Sequence, residues 1–104
     1  MKIIINKQEF NVDKADTFKK RLFGLMGKKN IKRGIFFPKT KSIHTFFMKE
    51  AIDIIMIDRN NKVIYYKKSF PKWKILIKKE AYHTIELPNN SISNININDK
   101  LTIS

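Results

Sequence analysis

The chain has 104 residues, no cysteine and a formal net charge of +13 at neutral pH. That length suits one domain, which buries roughly two-thirds of its unfolded surface without staples. The missing cysteine excludes disulfides, a thiolate nucleophile and Cys-based zinc sites, and fits a reducing cytosol.

Residues 2–5 (KIII) and 9–12 (EFNV) read as two short strands joined by a polar turn. Only three consecutive apolar residues open the chain, against about 7–15 in a signal-peptide core. No run approaches the roughly 20 apolar residues of a membrane span. The expectation is a cytoplasmic protein with no membrane span. Residues 15–26 (ADTFKKRLFGLM) predict a helix, because Phe18, Leu22, Leu25 and Met26 form one apolar stripe at helical spacing. Asp13 or Asp16 caps its start, and Gly27 closes it in a left-handed conformation. Gly24 inside it costs about 1 kcal/mol against alanine, which points to close approach by another element or an early helix end.

From residue 34 the pattern changes to strands. GIFF (34–37) stops at Pro38, which cannot donate to a ladder. SIHTFFM (42–48) and DIIMID (53–58) are rich in β-formers and apolar on both sides, as in a central sheet. RNNK (59–62) is a turn, and KVIYYKK (62–68) returns as the hairpin partner of 53–58. FPKWKILIKKEA (70–81) suits a loop across a barrel end followed by a short strand. YHTIEL (82–87) is a strand, 89–100 a loop with room for one helical turn, and KLTIS (100–104) the closing strand. One helix followed by about seven short strands predicts a single α+β domain over residues 1–104. It would be small and β-rich, its sheet mostly antiparallel and curved or barrel-like, with one N-terminal amphipathic helix.

Several motifs stand in a recognisable order. RLFGLM supplies Arg21, Gly24, Leu25 and Met26. His44, Thr45, Phe46 and Met48 precede Ile52 and Asp53. Asp58 and Val63 open a hairpin, Pro71 and Trp73 follow, and Ala81, Glu86, Leu87, Pro88 and Asp99 complete the series. Over residues 13–104 this resembles the prokaryotic family called domain of unknown function 192, in the branch with His-Thr-Phe-x-Met and Ile-Asp. Glu50-Ala51 stands where that branch has Phe-Pro, and Asn90 and Asn98 stand where it has glycine. Asparagine is the next best residue at positive φ, so those turns can survive. The resemblance implies a compact β-rich fold and no particular reaction.

A buried carboxylate needs donors. For Asp53 these could come from Arg21, from His44, or from backbone N–H groups. Such a cluster either pins the fold together or lines a small pocket as an acid–base pair, and the structural role ranks first. Glu86 is a second candidate partner for Arg21, or a strand-end acceptor. No residue is assigned as catalytic. Ser42 and His44 lack a nucleophile elbow, the three glycines form no phosphate loop, and no cofactor is indicated. No metal is indicated either, since His44 and His83 stand 39 residues apart without a ligand motif.

Lysines 67, 68, 72, 74, 78 and 79 surround Trp73, so the 62–79 segment has the basic and aromatic character of single-strand binders. Against this, isoleucine, asparagine and lysine make up 47 of the 104 residues. AT-rich coding accounts for that, and for 19 lysines beside 3 arginines. In such a background arginine marks places that need a planar, bidentate donor. Arg21, on the helix, is the informative one, whereas Arg59 falls in a turn and needs no special explanation. The residues therefore favour first a non-enzymatic binding or accessory module for an unknown ligand or protein partner, around Arg21, His44, Asp53, Glu86 and Trp73. A basic-surface nucleic-acid binder through 62–79 comes second, and a small hydrolase-like enzyme using His44 and Asp53 third.

Overall fold

The computed structural model describes residues 1–15, 17, 25, 27 and 31–104. Every regular element among them is a strand: β1 Lys2–Ile5, β2 Gln8–Lys14, β3 Gly34–Phe37, β4 Ser42–His44, β5 Ile52–Ile57, β6 Val63–Phe70, β7 Ile75–Ile77, β8 His83–Pro88 and β9 Thr102–Ile103. Seven form one sheet in the order β6-β5-β8-β3-β2-β1-β9, while β4 and β7 make a separate two-stranded ribbon. All pairings are antiparallel except β2 with β3. The sheet curls until its two edges meet at one end. There Lys62 bridges Lys100, and Leu101 N–H donates to Asn61 O at 2.7 Å.

The expected class, α+β, is corrected to all-β. Most of the segment expected as a helix, residues 15–26, lies outside the described residues, and so do Asp16 and Arg21. Its described members are not helical. Ala15 N–H still donates to Phe36 O at 2.9 Å, carrying the β2–β3 ladder into the segment where a helix would have to start. Asp13, expected as a cap, lies in β2 and is gripped by Arg33 through Nη2 at 3.0 Å and Nε at 3.3 Å. Gly27 does take the left-handed conformation expected of it, at φ 75°.

Strand β5 is buried along its whole length between β6 and β8, as its two-sided apolar character requires. Its alternation divides the core. Ile55 and Ile57 face the inside of the curl with Ile3, Ile5, Val12, Phe36, Ile85 and Leu101. Ile52, Ile54 and Met56 face outward, where Ile35, Phe37, Ile43 and Phe70 cover them. Strand β4 does not join this central sheet. It pairs instead with β7, Ser42 opposite Ile77 and His44 opposite Ile75, and the ribbon lays Ile43 and Leu76 on the outer core.

Turn chemistry matches the sequence at several points. Asn6 and Lys7 turn the β1–β2 hairpin at φ 49° and 69°, and Asn90 and Asn98 take φ 65° and 76°. A polar side chain that bonds locally makes this conformation tolerable for asparagine.

Candidate functional site

Asp53 lies on the inward face of β5, opposite Leu87, and is completely buried. Its carboxylate accepts three backbone N–H groups: Ser69 to Oδ1 at 2.9 Å, Asn90 to Oδ1 at 3.1 Å and Ile92 to Oδ2 at 2.8 Å. The Ser69 donor exists because β6 bulges there. Ile52 pairs with Phe70 but Ile54 with Lys67, so Lys68 and Ser69 together face Asp53, and Ser69 bends to φ 52°. One carboxylate thus ties the bulge, the turn after β8 and the following loop to the central strand.

His44 does not meet it. Strand β5 is flanked by β6 and β8, and His44 lies in the ribbon on the outer side. Its Nδ1 accepts Phe46 N–H at 3.3 Å, and its ring lies 5.2 Å from that of Phe46. Glu86 occupies a third place. Its cross-strand partners are Ile35 and Ile54, so it projects into the outer core, away from Asp53. Burial pushes its carboxyl up to about 8, because the charged form would lose its hydration there. The polar candidates are therefore distributed over both faces of the sheet.

The fourth candidate, Trp73, belongs to a built feature. Two turns lie side by side, 45–48 after β4 and 71–74 before β7. Thr45, almost fully buried, staples them together. Its N–H donates to Lys74 O at 2.8 Å and its hydroxyl to Pro71 O at 2.7 Å. Its oxygens in turn accept Trp73 N–H at 3.0 Å and Lys74 N–H at 2.9 Å. Held this way, Phe47 and Trp73 both sit at positive φ, 64° and 62°. Bulky residues avoid that region at a cost of about 1–3 kcal/mol each. The strained backbone turns both rings outward, 61% and 56% exposed, with their centroids 4.8 Å apart. Phe46 lies 6.0 Å from Trp73 on the other side and leads to His44. Ile75 and Ile77, each 61% exposed, carry the apolar surface along β7. Lys72 and Lys74 flank Trp73, and Lys41 lies at the far end of the ribbon.

Sequence reasoning singled out Trp73 and His44 but not Phe47, Ile75 or Ile77. The available signal was the alternation in ILI beside WK, which sets Ile75 and Ile77 on one face of a short strand.

The family model described as Uncharacterized ACR, domain of unknown function 192, matches residues 1–103. The chain belongs to the domain of unknown function 192 family. Relatives include a UPF0127 protein of Thermococcus kodakarensis, 37% identical over 86% of this chain and 61% of that protein. Another, from Pyrococcus horikoshii, is 41% identical over 71% of this chain and 69% of that protein. The chain spans about six-tenths of the length of the Thermococcus proteins it matches. Two solved structures share the fold at 15% identity. A protein of unknown function from Novosphingobium aromaticivorans superposes with a TM-score of 0.83, over 99% of this chain and 84% of that one. A putative transcription regulator from Sinorhizobium meliloti gives 0.81, over 97% and 89%. Among the described residues of this family member, no helix is long and apolar enough to cross a membrane.

Proposed function

We propose that this protein is a non-enzymatic, single-domain binding module that engages single-stranded nucleic acid through its aromatic ridge. The observation that carries this is the pair Phe47 and Trp73, both exposed and both held at positive φ by the Thr45 staple. Rings more than half exposed gain little core packing, and a ligand that stacks on them would account for the strain. Every base has a π-face, and stacking contributes about 1–3 kcal/mol per base without regard to sequence. Charge complementarity favours a polyanion over an uncharged apolar partner. The ridge is bordered by Lys72 and Lys74, on a chain of net charge +13. The scarcity of arginine is compatible with this, because a single strand tracked by its backbone needs point charges rather than bidentate forks. A cytoplasmic setting belongs to the same proposal.

Trp73 is the only tryptophan, so its emission reports on the ridge directly. Titration with a short single-stranded homopolymer should quench it, with an affinity that falls steeply as salt rises. Phe47→Ala should weaken binding by about tenfold or more while thermal unfolding stays cooperative. Absence of salt-dependent binding at moderate ionic strength, or a Phe47→Ala variant that binds like the wild type, overturns the proposal. A Trp73 response to an apolar peptide and to no oligonucleotide would do the same, by assigning the ridge to a protein partner.

A further inference from the structure

A second feature lies beyond the other end of the β4–β7 ribbon. Three loops meet there: 38–41 after β3, 58–60 after β5 and 78–82 before β8. They enclose an open cleft of about 660 Å³, within the roughly 300–1,000 Å³ range of small-molecule sites. The loops are fixed to each other and to the sheet. Lys78 N–H donates to Lys41 O at 3.0 Å, Tyr82 N–H to Ile57 O at 2.7 Å, and Thr84 Oγ1 to Thr40 O at 2.8 Å. Lys39 N–H donates to Nδ1 of His83 at 3.0 Å. The walls are thus set before any ligand arrives.

The cleft is lined by Lys39, Lys41, Arg59, Lys79 and Tyr82, with Asp58 and Glu80 as its two acids. Asp58 is oriented by its own turn, its Oδ1 accepting Asn60 N–H at 2.8 Å and Lys62 N–H at 3.0 Å, and its charge still counts in the cleft. Glu80 is exposed. Four cations therefore face two carboxylates, a net charge of about +2, and Asp58 is held in its own turn. Arg59 is the distinctive one, in a chain with 19 lysines and 3 arginines. Its guanidinium lies over the Tyr82 ring, 4.5 Å from the centroid. The Tyr82 ring rests in turn edge-on against His83 at 4.5 Å, and His83 against Phe36 at 4.9 Å. This chain of rings supports the guanidinium plane from the barrel outward. Stacking on one face leaves the N–H edge free to fork onto two oxygens of a phosphate, and the outer face free for a flat ring.

We infer that this cleft binds a phosphate monoester of nucleotide size, with Arg59 as the planar fork and Lys39, Lys41 and Lys79 as supporting charges. The site is separate from the aromatic ridge and does not depend on it. The intact protein is titrated calorimetrically with inorganic phosphate, with adenosine 5′-monophosphate and with an oligonucleotide lacking a terminal phosphate. Saturable one-to-one binding of the monophosphate is expected, tighter than inorganic phosphate. Arg59→Lys keeps the charge but removes the fork and the stack. It should weaken monophosphate binding about tenfold or more, whereas Lys41→Gln should weaken it less and Trp73→Ala should leave it unchanged. Arg59, Lys41 and Trp73 are all exposed, so these variants are expected to retain the fold. An Arg59→Lys protein that binds the monophosphate like the wild type overturns the inference. So does monophosphate binding that does not saturate, or an Arg59→Lys change that weakens oligonucleotide binding and not monophosphate binding, which would assign the cleft to the polymer backbone instead.

Discussion

Replacing Asp53 by asparagine is the sharpest test of how the barrel is held together. The two side chains have the same shape, so packing does not change and only hydrogen bonding does. In the native protein Oδ1 accepts two N–H groups, from Ser69 and Asn90, and Oδ2 accepts a third, from Ile92. Asparagine has one acceptor oxygen and a donating NH2. If the oxygen serves Ser69 and Asn90, the NH2 points at Ile92 N–H, and at least one buried donor is left facing another donor. An orphaned buried donor costs about 1–3 kcal/mol, and the remaining bonds lose charge assistance, so the total is about 3–5 kcal/mol. A domain of this size has only about 5–15 kcal/mol in hand, and each kcal/mol moves Tm by about 4–8 °C. Urea unfolding of both proteins gives the difference. Hydrogen exchange should also show Ser69, Asn90 and Ile92 losing protection ahead of the β3–β8 ladder. A loss below about 1 kcal/mol would refute the view that this carboxylate clamps the bulge and the loop after β8 to the central strand.

Two further perturbations test the two faces of the sheet. Glu86 has a folded pKa raised to about 8 from an ordinary 4.5, so between those values the folded chain keeps a proton that the unfolded chain releases. Its contribution to stability is therefore full below the lower value and is lost as pH rises through the upper one. Glu86→Gln should flatten this fall and exceed the wild type by on the order of a few kcal/mol above pH 8, and parallel urea midpoints across the range would contradict it. Gly34→Ala places a methyl 2.5 Å from Glu86 O and 2.7 Å from Leu87 Cδ2, where β3 packs against β8. Backbone cannot yield as a side-chain tip can, so a loss of about 1–3 kcal/mol or more is expected in thermal melts, and an unchanged Tm would show that the strands can separate.

Local pattern alone determined much of this protein. The alternation in KIII and EFNV and the polar turn between them mark the first hairpin, because a short turn makes each strand the other's nearest partner along the chain, and the structure extends the second strand back to Gln8. The same holds for DIIMID, RNNK and KVIYYKK, which pair as β5 and β6. The motif series was enough to indicate the family, and Asn90 and Asn98 hold the positive φ that glycine would otherwise supply. What the sequence could not determine is which distant strand lies beside which. SIHTFFM reads as central sheet from its composition, but only β7 takes it as a partner, and that choice puts His44 and Asp53 on separate elements. The three N–H groups that satisfy Asp53 come from 16, 37 and 39 residues away, and a main-chain donor leaves no mark in a side-chain pattern. The class reading failed for a related reason. A helical apolar stripe over residues 15–26 describes only its own segment, whereas Ala15 is drawn into the ladder by Phe36, 21 residues further on. Arg59 and Tyr82 likewise read as an ordinary turn charge and an ordinary strand residue. Their stack arises only because β5 and β8 pair antiparallel, with Ile57 opposite His83, a long-range pairing that tertiary burial decides and no local propensity encodes.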